Sequence, residues 1–115
     1  MANAFHASRD VIIQTDAWEE ALKFYGFTLG LPVTYRDPDV VGFETGAFCL
    51  YVEKGTHHGP VFEFLVPDVQ SSKHHLVKAG CTVEEEDSSL PRCYLRDPFG
   101  LVFNLGRSRD GSPLP

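Results

Sequence analysis

The chain has 115 residues, of which 43% are hydrophobic and 23% are charged, and its formal net charge is −6. This length provides one hydrophobic core, or two very small ones, and excludes a large multidomain enzyme. No apolar run approaches the ~20 residues that cross a bilayer. The basic residues are scattered over an acidic background, so the sequence predicts neither a membrane nor a nucleic-acid partner.

The first half of the chain predicts one strand, one helix and three further strands. Residues 11–14 form a β-branched run typical of a strand, and Asp16 stands three residues before Glu19, which is the spacing of a capping box. Gly30 and Pro32 predict the end of this helix. Its apolar stripe is Trp18, Ala21, Leu22 and Tyr25, and the following strands are predicted at residues 33–36, 40–43 and 48–52.

The second half repeats this order of signals. Residues 61–66 predict a strand, Asp68 predicts the start of a helix, and Gly80 predicts its end. The apolar stripe of this helix is Val69, Leu76 and Val77, and the following strands are predicted at residues 82–86, 93–96 and 101–105.

This repeat predicts the domain organisation. The tripeptide Arg-Asp-Pro occurs in both halves, at residues 36–38 and 96–98. Each half is too small to fold alone, so we expect a single domain over residues 1–115. Its predicted parts are module 1 at about 9–53, a linker at 54–60, module 2 at about 61–107 and a C-terminal tail at 108–115.

The repeated strand–helix–strand–strand–strand pattern carries a resemblance to a known family. With Phe24-Tyr25 in the first helix, LGLP at residues 29–32 and DPFG at residues 97–100, the chain resembles the vicinal oxygen chelate superfamily. That superfamily contains glyoxalase I, extradiol dioxygenases, fosfomycin-resistance enzymes and bleomycin-resistance proteins. The resemblance covers roughly residues 9–107. It implies an α+β fold in which two βαβββ modules form a half-open, barrel-like sheet around a pocket, with the helices on the outer faces, and commonly a homodimer.

The alternation of side chains along each strand predicts which residues face that pocket, because the other face must pack against a helix. In the first strand we expect Val11 and Ile13 to face the helix, which leaves Asp10, Ile12 and Gln14 on the pocket side. In module 2 the expected helix-facing residues are Phe62, Phe64, Val66, Leu101, Phe103 and Leu105, and the expected pocket-facing residues are Val61, Glu63, Leu65, Val102 and Asn104.

The resemblance also implies four positions where the enzymes of the superfamily hold one divalent metal. By resemblance these positions carry Asp10 (or Arg9, if the first strand is shifted by one residue), Leu50, Val61 and Asn104. Leucine and valine cannot ligate a cation, and such sites need at least three strong donors. The sequence therefore predicts neither a conventional metal centre nor another cofactor. If a divalent metal does bind, the candidate ligands are Asp10, Glu63 and His58.

Glu63 and His58 are the candidate catalytic residues. A carboxylate in the apolar run of residues 61–66 is costly unless it is paired or solvated. Glu63 is therefore interpreted either as a group that binds a cation or acts as a base, or as the partner of a salt bridge to Arg92 or Arg96. His58 is interpreted either as a base near the pocket mouth or as part of a solvated loop.

The candidate ligand-binding residues combine neutral amides, charges and aromatic rings. The amides of Gln14 and Asn104 suit the orientation of a ligand, or alternatively satisfy backbone groups at strand ends. Aromatic rings supply walls, although one of them is expected to be ordinary core. The full candidate set is Asp10, Gln14, Phe43, Phe48, Leu50, Glu63, Arg92, Tyr94 and Asn104.

Together these patterns predict a small-molecule-binding protein similar to glyoxalase and bleomycin-resistance proteins, which sequesters an organic ligand without a conventional metal centre. The alternative is a divergent metal-dependent lyase or isomerase of the glyoxalase type, so the presence of catalysis is left open. The three cysteines include no CxxC pair, and the N-terminus does not resemble a signal peptide. Free thiols and a cytoplasmic location are therefore expected.

Overall fold

The computed structural model describes residues 5–89 and 92–108, and the chain divides into two units. From here on, module 1 denotes residues 9–61 and module 2 denotes the described residues among 1–8 and 62–115, in place of the predicted bounds. The helices and strands follow the predicted order, with one added strand at the N-terminus and one π-helical turn. In chain order the elements are β1 (His6–Ala7), β2 (Asp10–Thr15), α1 (Trp18–Lys23), the π-helical turn (Phe24–Thr28), β3 (Val33–Arg36), β4 (Val40–Glu44), β5 (Cys49–Lys54), β6 (His58–Val66), α2 (Val69–Lys78), β7 (Thr82–Asp87), β8 (Arg92–Arg96) and β9 (Val102–Arg107).

Module 1 is a sheet in the order β3-β4-β5-β2-β6, to which β6 contributes its residues up to Val61. Strands β2 and β5 are parallel, with Val11 opposite Leu50. The apolar stripe predicted for α1 is confirmed, because all four of its residues pack against the buried cluster of this sheet. That cluster consists of Val11, Val41, Phe43, Leu50 and Val52.

Module 2 is a sheet in which β6 pairs with β1 and β9, and β9 continues to β8 and β7. Its buried cluster contains Val66, Cys93, Leu95, Phe103 and Leu105, and α2 packs on it through Val69 and Leu76. Phe62 and Leu101, which were expected to face the helix, and Val77, which was expected in the apolar stripe of α2, are not part of this cluster and are more than a third exposed.

The two helices begin differently. Asp68 caps α2 as predicted, since its carboxylate accepts a hydrogen bond from the Ser71 backbone N–H at 3.1 Å. The cap predicted at Asp16 is wrong, because Ala17 precedes α1 and no side chain caps this helix. The Thr15 hydroxyl accepts the Ala17 N–H at 3.0 Å, and the helix begins at Trp18.

The α+β fold of two βαβββ modules is confirmed. Cys49, Cys81 and Cys93 are free and buried, and burial raises the pKa of the Cys81 and Cys93 thiols. Within the described ranges, neither helix is long and apolar enough to cross a membrane.

Candidate functional site

Module 2 contains a cleft of about 500 Å³ at the junction of β6, β9 and β8 with the start of α2. Three of the predicted ligand-binding residues line it, namely Glu63, Arg92 and Asn104. Gly106 on β9 and Glu86 on β7 also contribute to the wall. The sequence placed Glu63 and Asn104 on one face of the sheet, and in the structure both line one cleft together with Arg92.

Asn104 is the central polar group of this cleft. Its side chain is buried, and strand pairing places it opposite Glu63 on β6 and Tyr94 on β8. The Oδ1 atom accepts the Cys93 backbone N–H at 2.9 Å, and Nδ2 donates to Glu63 Oε2 at 3.0 Å. Because a backbone N–H can only donate, it fixes the amide oxygen on its own side and directs the NH₂ group towards Glu63.

Glu63 is half-buried, and only one of its two carboxylate oxygens is used. Oε2 accepts from Asn104, whereas Oε1 has no hydrogen-bond or ion-pair partner within residues 5–89 and 92–108. The backbone carbonyl of Glu63 accepts the Ser8 N–H at 3.0 Å, which ties this residue to the N-terminal segment. The carboxylate is thus oriented by a buried amide and keeps one open acceptor atom.

The salt bridge that the sequence offered as an alternative for Glu63 is not formed. Arg92 donates to Glu85 Oε2 at 3.1 Å, and its guanidinium lies 4.9 Å from the centroid of the Tyr94 ring. Arg96 donates to Glu84 at 3.0 Å. Tyr94 is buried, and the Arg92 guanidinium packs on its ring.

The remaining acid of the cleft is paired. Glu86 accepts two hydrogen bonds from Lys73 Nζ, at 3.0 and 3.1 Å, and a longer one from Gln70. These contacts lower the pKa of Glu86. Glu63 is therefore the carboxylate of the cleft with an acceptor oxygen available to a ligand.

Module 1 arranges its predicted polar residues differently. Gln14 lies opposite Glu53 on β5 and opposite His58 on β6, and its Nε2 donates to Glu53 Oε1 at 2.7 Å. Asp10 lies at the other end of β2, where burial raises the pKa of its carboxyl group against the opposing effect of Arg9. Sequence reasoning missed Glu53, although it shares a strand face with Cys49 and Tyr51.

Two candidate residues of module 1 belong to the buried cluster that packs on α1, namely Leu50 and Phe43. The expected pocket-facing position of Leu50 is therefore wrong, and Phe43 is an aromatic ring of the ordinary core. Ile12 and Glu63 each lie three residues before the end of their strand. Ile12 pairs with Tyr51 and Glu63 pairs with Asn104, so Tyr51 rather than Leu50 occupies the position of Asn104.

The error in Leu50 comes from the turns that precede the last strands. The Thr45 N–H bonds to the Phe48 carbonyl, three residues on, whereas the Asp97 N–H bonds to the Leu101 carbonyl, four residues on. Gly46 and Gly100, which lie four residues before Leu50 and Asn104 respectively, therefore occupy different places in turns of different length, and the equal spacing does not make Leu50 the counterpart of Asn104. Phe48, another candidate, lies in the first of these turns and is 37% exposed.

The candidate ligands do not fit a resident divalent metal. Glu63 is one strong oxygen donor, but the Asn104 oxygen is committed to a backbone N–H. Asp10 and His58, the other candidate ligands, flank opposite ends of β2. Over the part of the chain that the structure describes, no group of three or more His, Cys, Asp or Glu side chains is arranged to hold a metal ion.

Module 1 has a separate cleft of about 560 Å³ at the start of α1. Its main feature is Lys54, whose ammonium lies 4.5 Å from the centroid of the Trp18 ring. The Trp18 Nε1–H donates to the Val52 carbonyl at 2.9 Å, which fixes the ring. None of the predicted site residues lines this cleft.

Comparisons with known proteins agree with this architecture. Residues 10–106 match the family model described as a glyoxalase-like domain. Among curated proteins no sequence matches.

Several solved structures share the fold. A hypothetical protein, BH1468 from Bacillus halodurans C-125, is 10% identical, with 94% of this chain and 97% of that chain covered and a TM-score of 0.65. A glyoxalase/bleomycin resistance protein/dioxygenase superfamily member from Vibrio splendidus 12B01 is 15% identical, with coverages of 90% and 99% and a TM-score of 0.63. An extradiol ring-cleaving dioxygenase from B. fuscum is 18% identical, with a TM-score of 0.65, and the match covers 92% of this chain but 33% of the dioxygenase. At these identities the likeness shows the fold alone.

Proposed function

Since the chain belongs to the glyoxalase-like domain family, we propose that it is a small-molecule-binding member that sequesters an organic ligand in the module 2 cleft without a conventional metal centre. The ligand carries an ammonium or guanidinium group that donates to Glu63. The observation that carries this proposal is the open Oε1 acceptor of a half-buried carboxylate whose other oxygen is held by Asn104.

The chemistry of the cleft favours a cationic donor over an anion at this point. The amide of Asn104 already serves the Cys93 N–H and Glu63, and the Arg92 guanidinium is engaged by Glu85 and Tyr94. A hydrogen bond between a charged donor and a carboxylate is about twice as strong as a neutral one. Partial burial of Glu63 strengthens it further, because the local dielectric constant is lower than that of water.

Matched probes of similar shape and different charge test this proposal. Titration of ¹⁵N-labelled protein with benzylamine, benzyl alcohol and benzoate compares an ammonium, a hydroxyl and a carboxylate on the same ring. We expect benzylamine to bind most tightly and to shift the resonances of Glu63, Asn104 and Gly106. Glu63→Gln removes the charge and is expected to weaken benzylamine binding about tenfold or more.

Glu86→Gln is the matched control, because Glu86 lines the same cleft but is occupied by Lys73. This variant should bind benzylamine as the wild type does. Equal binding of benzoate, or benzylamine binding that survives Glu63→Gln, would overturn the proposal. Tight, stoichiometric uptake of Zn²⁺ alone that is lost in Glu63→Gln would instead support the lyase or isomerase alternative.

A further inference from the structure

Gly106 lies on β9 opposite Leu65 and lines the same cleft as Glu63. A Cβ atom built on Gly106 would lie 2.8 Å from Glu63 Oε2, 3.2 Å from Glu63 Cδ and 3.1 Å from Leu65 Cδ2. The first of these distances is shorter than real Cβ contacts. The observed position of the Glu63 carboxylate therefore requires that residue 106 has no side chain.

Adding a side chain at residue 106 changes the position of the Glu63 carboxylate more than it changes the stability of the fold. The atom in conflict is the far end of a flexible side chain, so Glu63 can rotate away at small cost to folding. Oε2 is also the atom that accepts from Asn104 Nδ2. A carboxylate that rotates away from residue 106 therefore loses the hydrogen bond that orients it.

We propose that Gly106 is a positioning residue: its lack of a side chain holds the Glu63 carboxylate against Asn104 and thereby raises the affinity of the cleft for a cationic group. This inference rests on the proposed function for its effect on ligand binding. Its structural half, the coupling of residue 106 to the Glu63–Asn104 hydrogen bond, is independent of any ligand.

The test uses Gly106→Ala with two readouts. The first is the pair of Asn104 side-chain NH₂ resonances in the ligand-free protein, which we expect to move towards the values in Glu63→Ala, where the hydrogen bond is absent. The second is benzylamine affinity, which we expect to fall about tenfold, as for loss of one hydrogen bond to a charged group. Gly55→Ala is the control, because its Cβ would contact Gln14 in module 1, and it should leave both readouts unchanged.

A second substitution separates positioning from simple filling of the cleft. In Gly106→Ala/Glu63→Asp the carboxylate is one methylene shorter and withdraws from the new methyl group. We expect this double variant to bind benzylamine more tightly than Gly106→Ala alone. A double variant that binds no better means that the methyl group only occupies ligand space, and it overturns the inference.

Two outcomes keep the inference distinct from the proposed function. If Gly106→Ala folds poorly, Leu65→Val in the same background removes the second close contact and leaves only the conflict with Glu63. If wild-type protein does not bind benzylamine, the proposed function fails, while the Asn104 resonances still decide the positioning role. Resonances that do not change in Gly106→Ala overturn that role.

Discussion

The two modules share an order of elements but differ on the sheet face that points away from their helices. Each first strand ends three residues before its helix begins, at Thr15 in module 1 and at Val66 in module 2. Counted from these ends, Ile12 corresponds to Glu63. Their partners on the parallel strand are Tyr51 and Asn104, so one module has an isoleucine and a tyrosine where the other has a carboxylate and an amide.

Two residues further along the strands, module 1 has the polar pair and module 2 does not. Module 1 pairs Gln14 with Glu53, and the two side chains hydrogen-bond to each other at 2.7 Å. Module 2 pairs Leu65 with Gly106, and the Glu63 carboxylate occupies the space that a side chain at residue 106 would need. The amide–carboxylate pair of module 1 therefore lies two residues further along the strands than the pair of module 2, in which Glu63 keeps one open acceptor oxygen.

The largest expected difference between the modules concerns their amides. Asn104→Leu leaves the buried Cys93 N–H without an acceptor and Glu63 without its donor, so we expect a loss of about 2–4 kcal/mol in the free energy of unfolding. Gln14→Met removes one hydrogen bond between two side chains, those of Gln14 and Glu53, and should cost about 1 kcal/mol. Urea unfolding measures both, and equal losses would contradict the comparison.

The glycines of the two sheets give the next effect. A Cβ on Gly42, in β4 of module 1, would lie 2.9 Å from Tyr51 Cε1 and 3.2 Å from Tyr51 Cδ1. A packed aromatic ring yields less easily than a carboxylate, so Gly42→Ala is expected to cost about 1–3 kcal/mol. Gly106→Ala should cost clearly less, and Tyr51→Val should recover most of the loss in Gly42→Ala. Thermal unfolding of the three variants would refute this order if Gly106→Ala proved the least stable.

A smaller effect follows from the helix starts. Asp68→Ala removes the acceptor of the Ser71 N–H and should destabilise the protein by about 1 kcal/mol. Asp16→Ala should change stability by less than about 0.5 kcal/mol, since α1 has no side-chain cap. Chemical denaturation of both variants tests this contrast, and a larger loss for Asp16→Ala would restore the cap that the sequence predicts.

The strands and helices were predictable because they depend on local patterns. Alternation and apolar stripes located eight strands and two helices, with β3 correct at both ends. The strand β1 and the π-helical turn were missed for physical reasons. The two residues of β1 pair only because β6 offers them a partner, and the turn depends on a hydrogen bond from the Leu29 N–H to the Phe24 carbonyl rather than on composition.

The candidate site could be predicted where the alternation of side chains along a strand showed which residues share a face. Glu63 and Asn104 stood out because polar residues in apolar strands need partners, and the structure pairs them with each other. Leu50 was misplaced because parity was counted through a turn whose length the sequence does not reveal. The role of Gly106 could not be predicted, because its closeness to the Glu63 side chain depends on the register of β6 and β9 and not on the glycine itself.

The smallest predicted effect concerns the acids of module 1. Burial raises the pKa of Asp10 in the folded protein, so the folded state favours the neutral carboxyl. The corresponding stabilisation is present below the ordinary aspartate pKa of about 3.9 and is lost as the pH rises through the higher folded-state pKa. Asp10→Asn should therefore raise the melting temperature slightly at pH 7 and have no such benefit near pH 3.

The pKa of Glu44 is shifted in the opposite direction from that of Asp10, so Glu44 serves as the control. Hydrogen bonds from Arg9 and from the Gly46 N–H lower the pKa of its carboxyl group, so its stabilisation is present at neutral pH and is lost as the pH falls through the lowered pKa. Glu44→Gln should lower the melting temperature slightly at pH 7 and converge with the wild type in acid. Melting curves from pH 3 to pH 7 test both signs. A lower melting temperature for Asp10→Asn at pH 7 would mean that the ionised Asp10 carboxylate stabilises module 1, and that burial is not the dominant influence on it.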